Sequence, residues 1–270
     1  MTIETSDDVL VEQRARRAVL GQRGLRIVLL GAVGVVLLLV GWQVVVWVAG
    51  LDPLVLPPPW MVASQLGTLL GEGHFWHDLG VSLFEFACGF GLGTVLGIGL
   101  GMAMSELARL RMTLHPVVEA FRFVVPFAWI PIVVLWFGTS FWGKILLVSY
   151  AVFFVMVIST SESVRRIDPT LSRVATVLGM SPVRQAFSIR LRAAAPSIAS
   201  ACRASAALGW IAVIAAEYVG SNAGLGNLII NASTSLDAAV VIAGMVVIGL
   251  VGAGVSAAIS WVSRKRLSYI

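Results

Sequence analysis

The sequence predicts an all-α polytopic membrane protein with six transmembrane helices. Three observations lead there. The 270 residues are 58% hydrophobic and only 12% charged, about half the roughly 25% charge of a soluble domain. The apolar residues fall in blocks near the ~20 residues that a helix needs to cross ~30 Å of hydrocarbon. Backbone groups in lipid must pair within their own segment, so blocks of this kind are helices.

Residues 1–26 form a polar tail that carries Arg14, Arg16, Arg17, Arg23 and Arg26. The block from Ile27 to Ala49 exceeds the core of a cleaved signal and lacks a small-x-small site after it, so 27–50 is expected to stay as the first membrane helix. Residues 51–81 hold Pro57, Pro58, Pro59, Glu72, His74, His77 and Asp78. That is too polar to span, and it reads as an external loop with an interfacial helix, Trp60 and Trp76 lying at headgroup depth. His74 and His77 read as solvated groups, and no metal site is expected. The core, 82–262, contains spans at about 82–104, 119–138, 142–162, 197–219 and 238–262. A short tail, 263–270, ends the chain.

In the first of these core spans, glycines at 89, 93, 97 and 101 recur every four residues. This small-residue ridge allows close backbone approach, to a helix of the same subunit or to a second copy. Cys88 and Cys202 lie in apolar blocks and read as packing residues.

Charge placement gives the orientation. The net charge of +5 comes from basic residues between apolar blocks, where topology is set, so nucleic acid is not implied. With the amino terminus in the cytoplasm, seventeen of the nineteen Lys and Arg fall on that side, Arg109, Arg111 and Arg122 among them. Lys144 falls outside and Arg203 within a helix. Both termini are therefore expected in the cytoplasm of a bacterial-type cell, the protein lying in its inner membrane.

The connection from Ser163 to Pro196 is far longer than a bundle needs. Asp168-Pro169 reads as an N-cap followed by proline at the first helical position. Leu171, Val174, Ala175 and Leu178 then repeat on one helical face. Gly179 is a plausible stop, and Ser181-Pro182 starts a second helix in which Val183, Phe187 and Leu191 oppose Arg184 and Arg192. A helix–turn–helix with apolar ridges and a basic rim fits either a membrane surface or a docking partner.

That connection resembles the cytoplasmic signature of ABC importer permeases, Glu-Ala-Ala, three residues, Gly, nine residues, then Ile-x-Leu-Pro. Here Ala175, Gly179, Ile189 and Leu191 stand in register, while Arg173 replaces Glu, Val174 replaces Ala and Arg192 replaces Pro. Leu56-Pro57-Pro58-Pro59, the run from Arg122 through Pro126, Trp129 and Pro131 to Gly138, and Glu217 followed by Ser221-Asn-Ala-Gly224-Leu-Gly226 are similar to permeases for taurine, sulfonates and nitrate. The resemblance covers about residues 55–262. It implies a type I importer transmembrane fold in which Arg173, Val174, Ala175, Leu178, Gly179, Met180, Ser181, Pro182 and Val183 dock an ATPase subunit. It also implies a second permease copy, two ATPase subunits that bind ATP-Mg, an extracytoplasmic substrate-binding protein and a small anionic solute.

Candidates for the pathway or its gate are Pro126, Trp129, Pro131, Arg203, Trp210 and Glu217. Prolines inside a span remove a hydrogen bond and kink the helix. Arg203 and Glu217 are ionisable groups in a span, where charge usually faces a partner or water. Fourteen residues separate them, about 21 Å along one helix, so they cannot pair. No Walker A pattern and no Ser/His/Asp or Cys/His set occurs, so catalysis and bound cofactors are not expected on this chain. A secondary transporter driven by an ion gradient would want an inverted repeat; none is evident, and the ordered basic connection would go unexplained.

Overall fold

A computed structural model describes residues 29–50 and 52–267 of the protein. The tail at 1–26, the first two residues of the first expected span and the last three residues lie outside the described residues. The chain divides into two units, residues 1–64 and 65–270. In the first, α1 (Leu29–Ala49) is a single apolar helix of 21 residues. It is followed by a turn in which the Leu54 amide donates to Asp52 Oδ1 at 2.9 Å. Helix α2 (Pro59–Gly71) begins at the third proline of the run, where the missing amide would have had no partner in any case.

The second unit is the bundle. Its helices are α3 (Gly73–Glu106), α4 (Ala108–Arg122), a 3-10 turn (Pro126–Trp129), α5 (Ile130–Phe137) and α6 (Phe141–Arg165). Then come α7 (Pro169–Val177), α8 (Pro182–Gln185), a widened turn (Ala186–Arg190), α9 (Leu191–Gly220), α10 (Leu225–Thr234) and α11 (Ala238–Leu267). Helix α6 is the axis, packed between α3 and α9. Among the described residues, five helices are long and apolar enough to cross a membrane, or six if α4 and the following bent segment count as one.

The α3–α6 contact explains the glycine ridge. A Cβ on Gly93 would lie 2.7 Å from the Ser149 carbonyl, and one on Gly101 would lie 2.7 Å from that of Val157. Backbone cannot retreat, so only glycine fits, and the Ser149 hydroxyl donates to the Gly89 carbonyl at 3.1 Å. Gly91 and Gly99, on the other side of α3, face open space. The ridge therefore meets its own subunit.

Two expectations need correction. Residues 73–81 are not an external loop; they are the first turns of α3, which runs unbroken for 34 residues. Their polarity hid this, because one of those polar groups, Asp78, is buried within the bundle. The segment 119–138 is broken rather than kinked. Helix α4 stops at Arg122, and the next helical segment leaves at 88°. Pro126 and Pro131 each stand at a helix start, where proline costs no hydrogen bond. The continuous apolar run concealed the break. Tyr150 holds it, its hydroxyl lying 2.6 Å from the Phe121 carbonyl and 3.2 Å from that of Val124.

Candidate functional site

At one end of the bundle α7, α8 and the turn after them form an elbow. Asp168 caps α7 by accepting the Thr170 amide at 2.8 Å, which holds its carboxyl below the usual carboxylate range. Gly179 ends the helix with φ +75°. Its amide donates to Thr176 and that of Met180 donates to Ala175, the paired bonds of a Schellman motif. Gln185 closes the corner, its side-chain amide donating to the Met180 carbonyl at 2.8 Å.

The apolar face divides in a way that the spacing did not show. Ala175 is buried against the following turn, while Leu171, Val174, Val177 and Leu178 point outward with Val183 and Phe187. Val177 and Leu178 are 87% and 74% exposed. Arg173, Arg184 and Arg192 are exposed as well. Arg190 instead turns inward. Its guanidinium bonds both carboxylate oxygens of Glu106 at 2.8 Å and Ser172 Oγ at 3.1 Å. The elbow is thereby clamped to the last turn of α3. Ala186 joins Met102, Val152, Met156, Val164, Ala194 and Ile198 in the core beneath it.

The second elbow helix was expected to be separate from the fifth span. It is continuous with it. Residues Val183–Gly220 make one helix of 38 residues, and Pro196 sits inside without ending it. At 1.5 Å per residue that is about 57 Å, far more than the ~30 Å hydrocarbon layer. The ridge is therefore fixed to a rod that enters the membrane.

The opposite end of α9 carries Glu217, which is fully buried. Three successive amides at the start of α10 need acceptors, because Gly224 at the N-cap has no side chain. Other helices supply them. The Gly224 amide donates to Asp78 Oδ1 at 3.0 Å, Leu225 to Ser82 Oγ at 2.9 Å, and Gly226 to Glu217 Oε2 at 2.9 Å. Gly224 has φ +108°, and a Cβ there would collide with the Glu217 carboxylate. Beside this, Lys144 forms a buried ion pair with Glu85 and donates to Ser221 Oγ at 3.0 Å. Lys144, counted on the outer side, is thus a buried residue in the first turn of α6.

Sequence reasoning missed Asp78, Glu85 and Lys144 as members of this site. The signal was available: Glu85 and Lys144 are opposite charges, each within the first few residues of an expected apolar span. His74 and His77 flank Asp78, at 3.5 and 3.7 Å. The three possible ligand atoms lie within 4.8 Å of one another, but the Asp78 carboxylate is already engaged by Gly224.

Of the other pathway candidates, Pro126 lines a cavity of about 470 Å³ between the α4–α5 break, α6 and α9. Trp129 packs behind it on Tyr150, ring centroids 5.7 Å apart, and Pro131 is in the first turn of α5. Trp210 is buried and donates to the Ile248 carbonyl at 3.1 Å, which ties α9 to α11. Arg203 is half-buried and donates to Ser200 Oγ at 3.0 Å, one turn back.

Long apolar helices around a buried polar end, with an exposed ridge carried on a rod at the other, define a membrane transport subunit that works with a partner. The chain belongs to the family of binding-protein-dependent transport system inner membrane components, which matches residues 93–267. It is 32% identical to the taurine transport system permease protein TauC of Escherichia coli over 79% of this chain and 80% of that one. To the putative aliphatic sulfonates transport permease protein SsuC of Bacillus subtilis the identity is 31%, over 84% and 83%. To the bicarbonate transport system permease protein CmpB of Synechococcus elongatus it is 31%, over 72% and 70%. Among solved structures, the inward-facing MetNI methionine ABC transporter has a similar fold, with a TM-score of 0.62 at 16% identity, covering 78% of this chain and 98% of that one. The chain is a multi-pass inner-membrane permease subunit of an ABC importer.

Proposed function

We propose that this chain pairs with a second copy of itself to form the pathway for a small anion of the sulfonate, taurine or bicarbonate kind, and that residues 168–190 receive the stroke of an ATPase subunit. The observation that carries the reading is the exposed ridge of Val174, Val177 and Leu178 at the end of α7 with Val183, the first residue of a 38-residue helix. Apolar side chains ringed by Arg173, Arg184 and Arg192 suit a groove on a partner protein. Such a ridge moves as a unit with the membrane segment of α9. The positive-inside count supports an orientation with the elbow, both termini and the ATPase subunits in the cytoplasm. ATP-Mg would be bound there by the partners, and this chain would hold no cofactor.

On this reading the Asp78–Glu85–Lys144–Glu217 end faces outward, toward a substrate-binding protein, and keeps that end closed while the cytoplasmic side is open. ATP-driven closure of the partners would tilt α9 and exchange the two states, which is switching between two packings of one bundle. Sulfonates and bicarbonate enter the argument through the relatives alone.

The test is on the elbow. Gly179→Pro cannot adopt φ +75° and loses the amide that bonds Thr176. Leu178→Asp puts a charge on the ridge. Both variants should insert in the membrane yet lose most of the ATPase stimulation caused by the loaded binding protein. Full stimulation in both would show that docking lies elsewhere.

A further inference from the structure

The 470 Å³ cavity has a wall that is almost wholly apolar: Phe123, Val125, Phe127, Phe154, Ile158, Leu208 and Ile211. One cation lines it. Arg122, counted from the sequence as a cytoplasmic charge, is the last residue of α4. Helix α4 starts beside Glu106, at the elbow end, and fifteen residues carry it about 22 Å from there. Tyr150, nine residues into α6, is bonded to the carbonyl just before Arg122. On its neighbours the cavity runs from Tyr150 to Ser159 and from Leu208 to Ala215, inner stretches of α6 and α9. Arg122 therefore stands level with the inner stretches of the apolar helices α6 and α9, at the edge of a space.

A charge at that depth is costly, and where it persists it usually faces a water-filled route for an ion or solute. A guanidinium has five donor hydrogens in a planar fork. One bond is made, Nη1 to Glu119 Oε1 at 3.2 Å, to a partner half-exposed and absent from the cavity wall. The Phe123 ring lies 5.2 Å from the guanidinium carbon and covers one face. The nearby Tyr150 hydroxyl spends its single proton on the chain break. Arg122 is left as the group that can offer a two-pronged contact to an oxyanion in an otherwise greasy chamber, a geometry that carboxylate and phosphate oxygens share with sulfonate.

Resting on the proposed anionic substrate, we propose that Arg122 is the specificity-determining residue of the translocation chamber, binding the passing oxyanion by its guanidinium fork. The anion would displace water and compete with Glu119, and the apolar wall would offer its tail no polar hold.

The experiment uses the full complex, with ATPase subunits and binding protein, in liposomes, and follows uptake of labelled ethanesulfonate, taurine and bicarbonate. Arg122→Gln should reduce uptake about tenfold or more, as expected when a charged hydrogen-bonding partner is lost. Arg122→Lys keeps the charge without the fork and should raise the half-saturating concentration about threefold. Glu119→Gln should change uptake by less than about twofold, since an exposed helix pair contributes little. If R122Q does not assemble, R122K decides: an unchanged half-saturating concentration overturns the proposal. Restored uptake in the charge-reversed pair R122E/E119R would also overturn it, because that pattern belongs to a helix staple. Wild-type uptake of an anion with equal uptake by R122Q sinks the Arg122 assignment alone. A wild-type complex that carries none of the three anions sinks the substrate reading and this proposal with it.

Discussion

The two ends of the bundle handle polarity in opposite ways. At the elbow, apolar side chains are exposed and the charges around them are solvated, with one ion pair, Arg190–Glu106, pinning the whole to α3. At the other end, Asp78, Glu85, Lys144 and Glu217 are all buried; Asp78, Ser82 and Glu217 accept three amides at the start of α10, and Lys144 pairs with Glu85. The first arrangement leaves hydrophobic surface unsatisfied until a partner covers it. The second pairs most of its polar groups internally, with Glu85 Oε2 and Glu217 Oε1 buried without a hydrogen bond. A subunit that passes motion from a soluble partner into a membrane wants this division, a sticky handle at one end and a self-contained closure at the other.

The largest effect is expected at the closure. Lys144→Met would leave Glu85 and Glu217 facing each other in a site shut off from water. Breaking a buried pair from one side costs about 3–5 kcal/mol, because the remaining charge has no compensation. The variant should accumulate poorly and unfold earlier in detergent. Glu85→Gln combined with Lys144→Met removes both members and should recover much of the loss. If the single and double variants are equally damaged, the ion pair is not what holds this end together.

The elbow was legible in the sequence for a physical reason. Its signals are local: Asp168 and Thr170 are two residues apart, and Ala175, Gly179 and Met180 complete their bonds within one turn. The closure draws on residues as far apart as Asp78 and Gly224, and composition cannot show that α10 will present its amides to α3. The burial of Lys144 was missed for a related reason. One lysine near a span boundary shows no partner until Glu85 is seen opposite. The break after Arg122 was hidden by an apolar sequence that continues through it. The glycine ridge lay between these cases, its purpose readable and its partner not.

A smaller effect is expected where the handle joins the bundle. The Arg190–Glu106 pair is about two-thirds buried, so its hydrogen bonds should outweigh those of a free surface pair. Charged hydrogen bonds contribute about 1.5–3 kcal/mol when well sheltered, and exposed pairs less than about 1. Glu106→Gln should therefore loosen the elbow by about 1 kcal/mol while leaving the membrane core intact. Hydrogen exchange would show it as faster exchange at residues 170–190 with unchanged protection in α6. Binding-protein-stimulated ATPase activity should fall in part, well short of the loss expected for Gly179→Pro. A drop in α6 protection would mean that the two ends are less independent than their chemistry suggests.

The smallest effect separates the ends by pH. Asp168 lies at the surface and its carboxylate accepts the Thr170 amide, which lowers its pKa in the folded elbow. A carboxyl whose folded pKa is depressed stabilises the fold above its unfolded value, about 3.9, and loses that contribution as pH falls through the lower, folded value. Above pH 5 the cap should be complete and α7 insensitive to pH. Below about pH 4 the start of α7 should fray, seen as faster amide exchange at Thr170 and Leu171 once the intrinsic acid dependence of exchange is removed. Asp168→Asn keeps a capping oxygen but does not titrate, so it should abolish the acid-induced change while keeping most of the helix. Persistence of the change in Asp168→Asn would assign it to another group, and the elbow's one legible acid would then have no part in its stability.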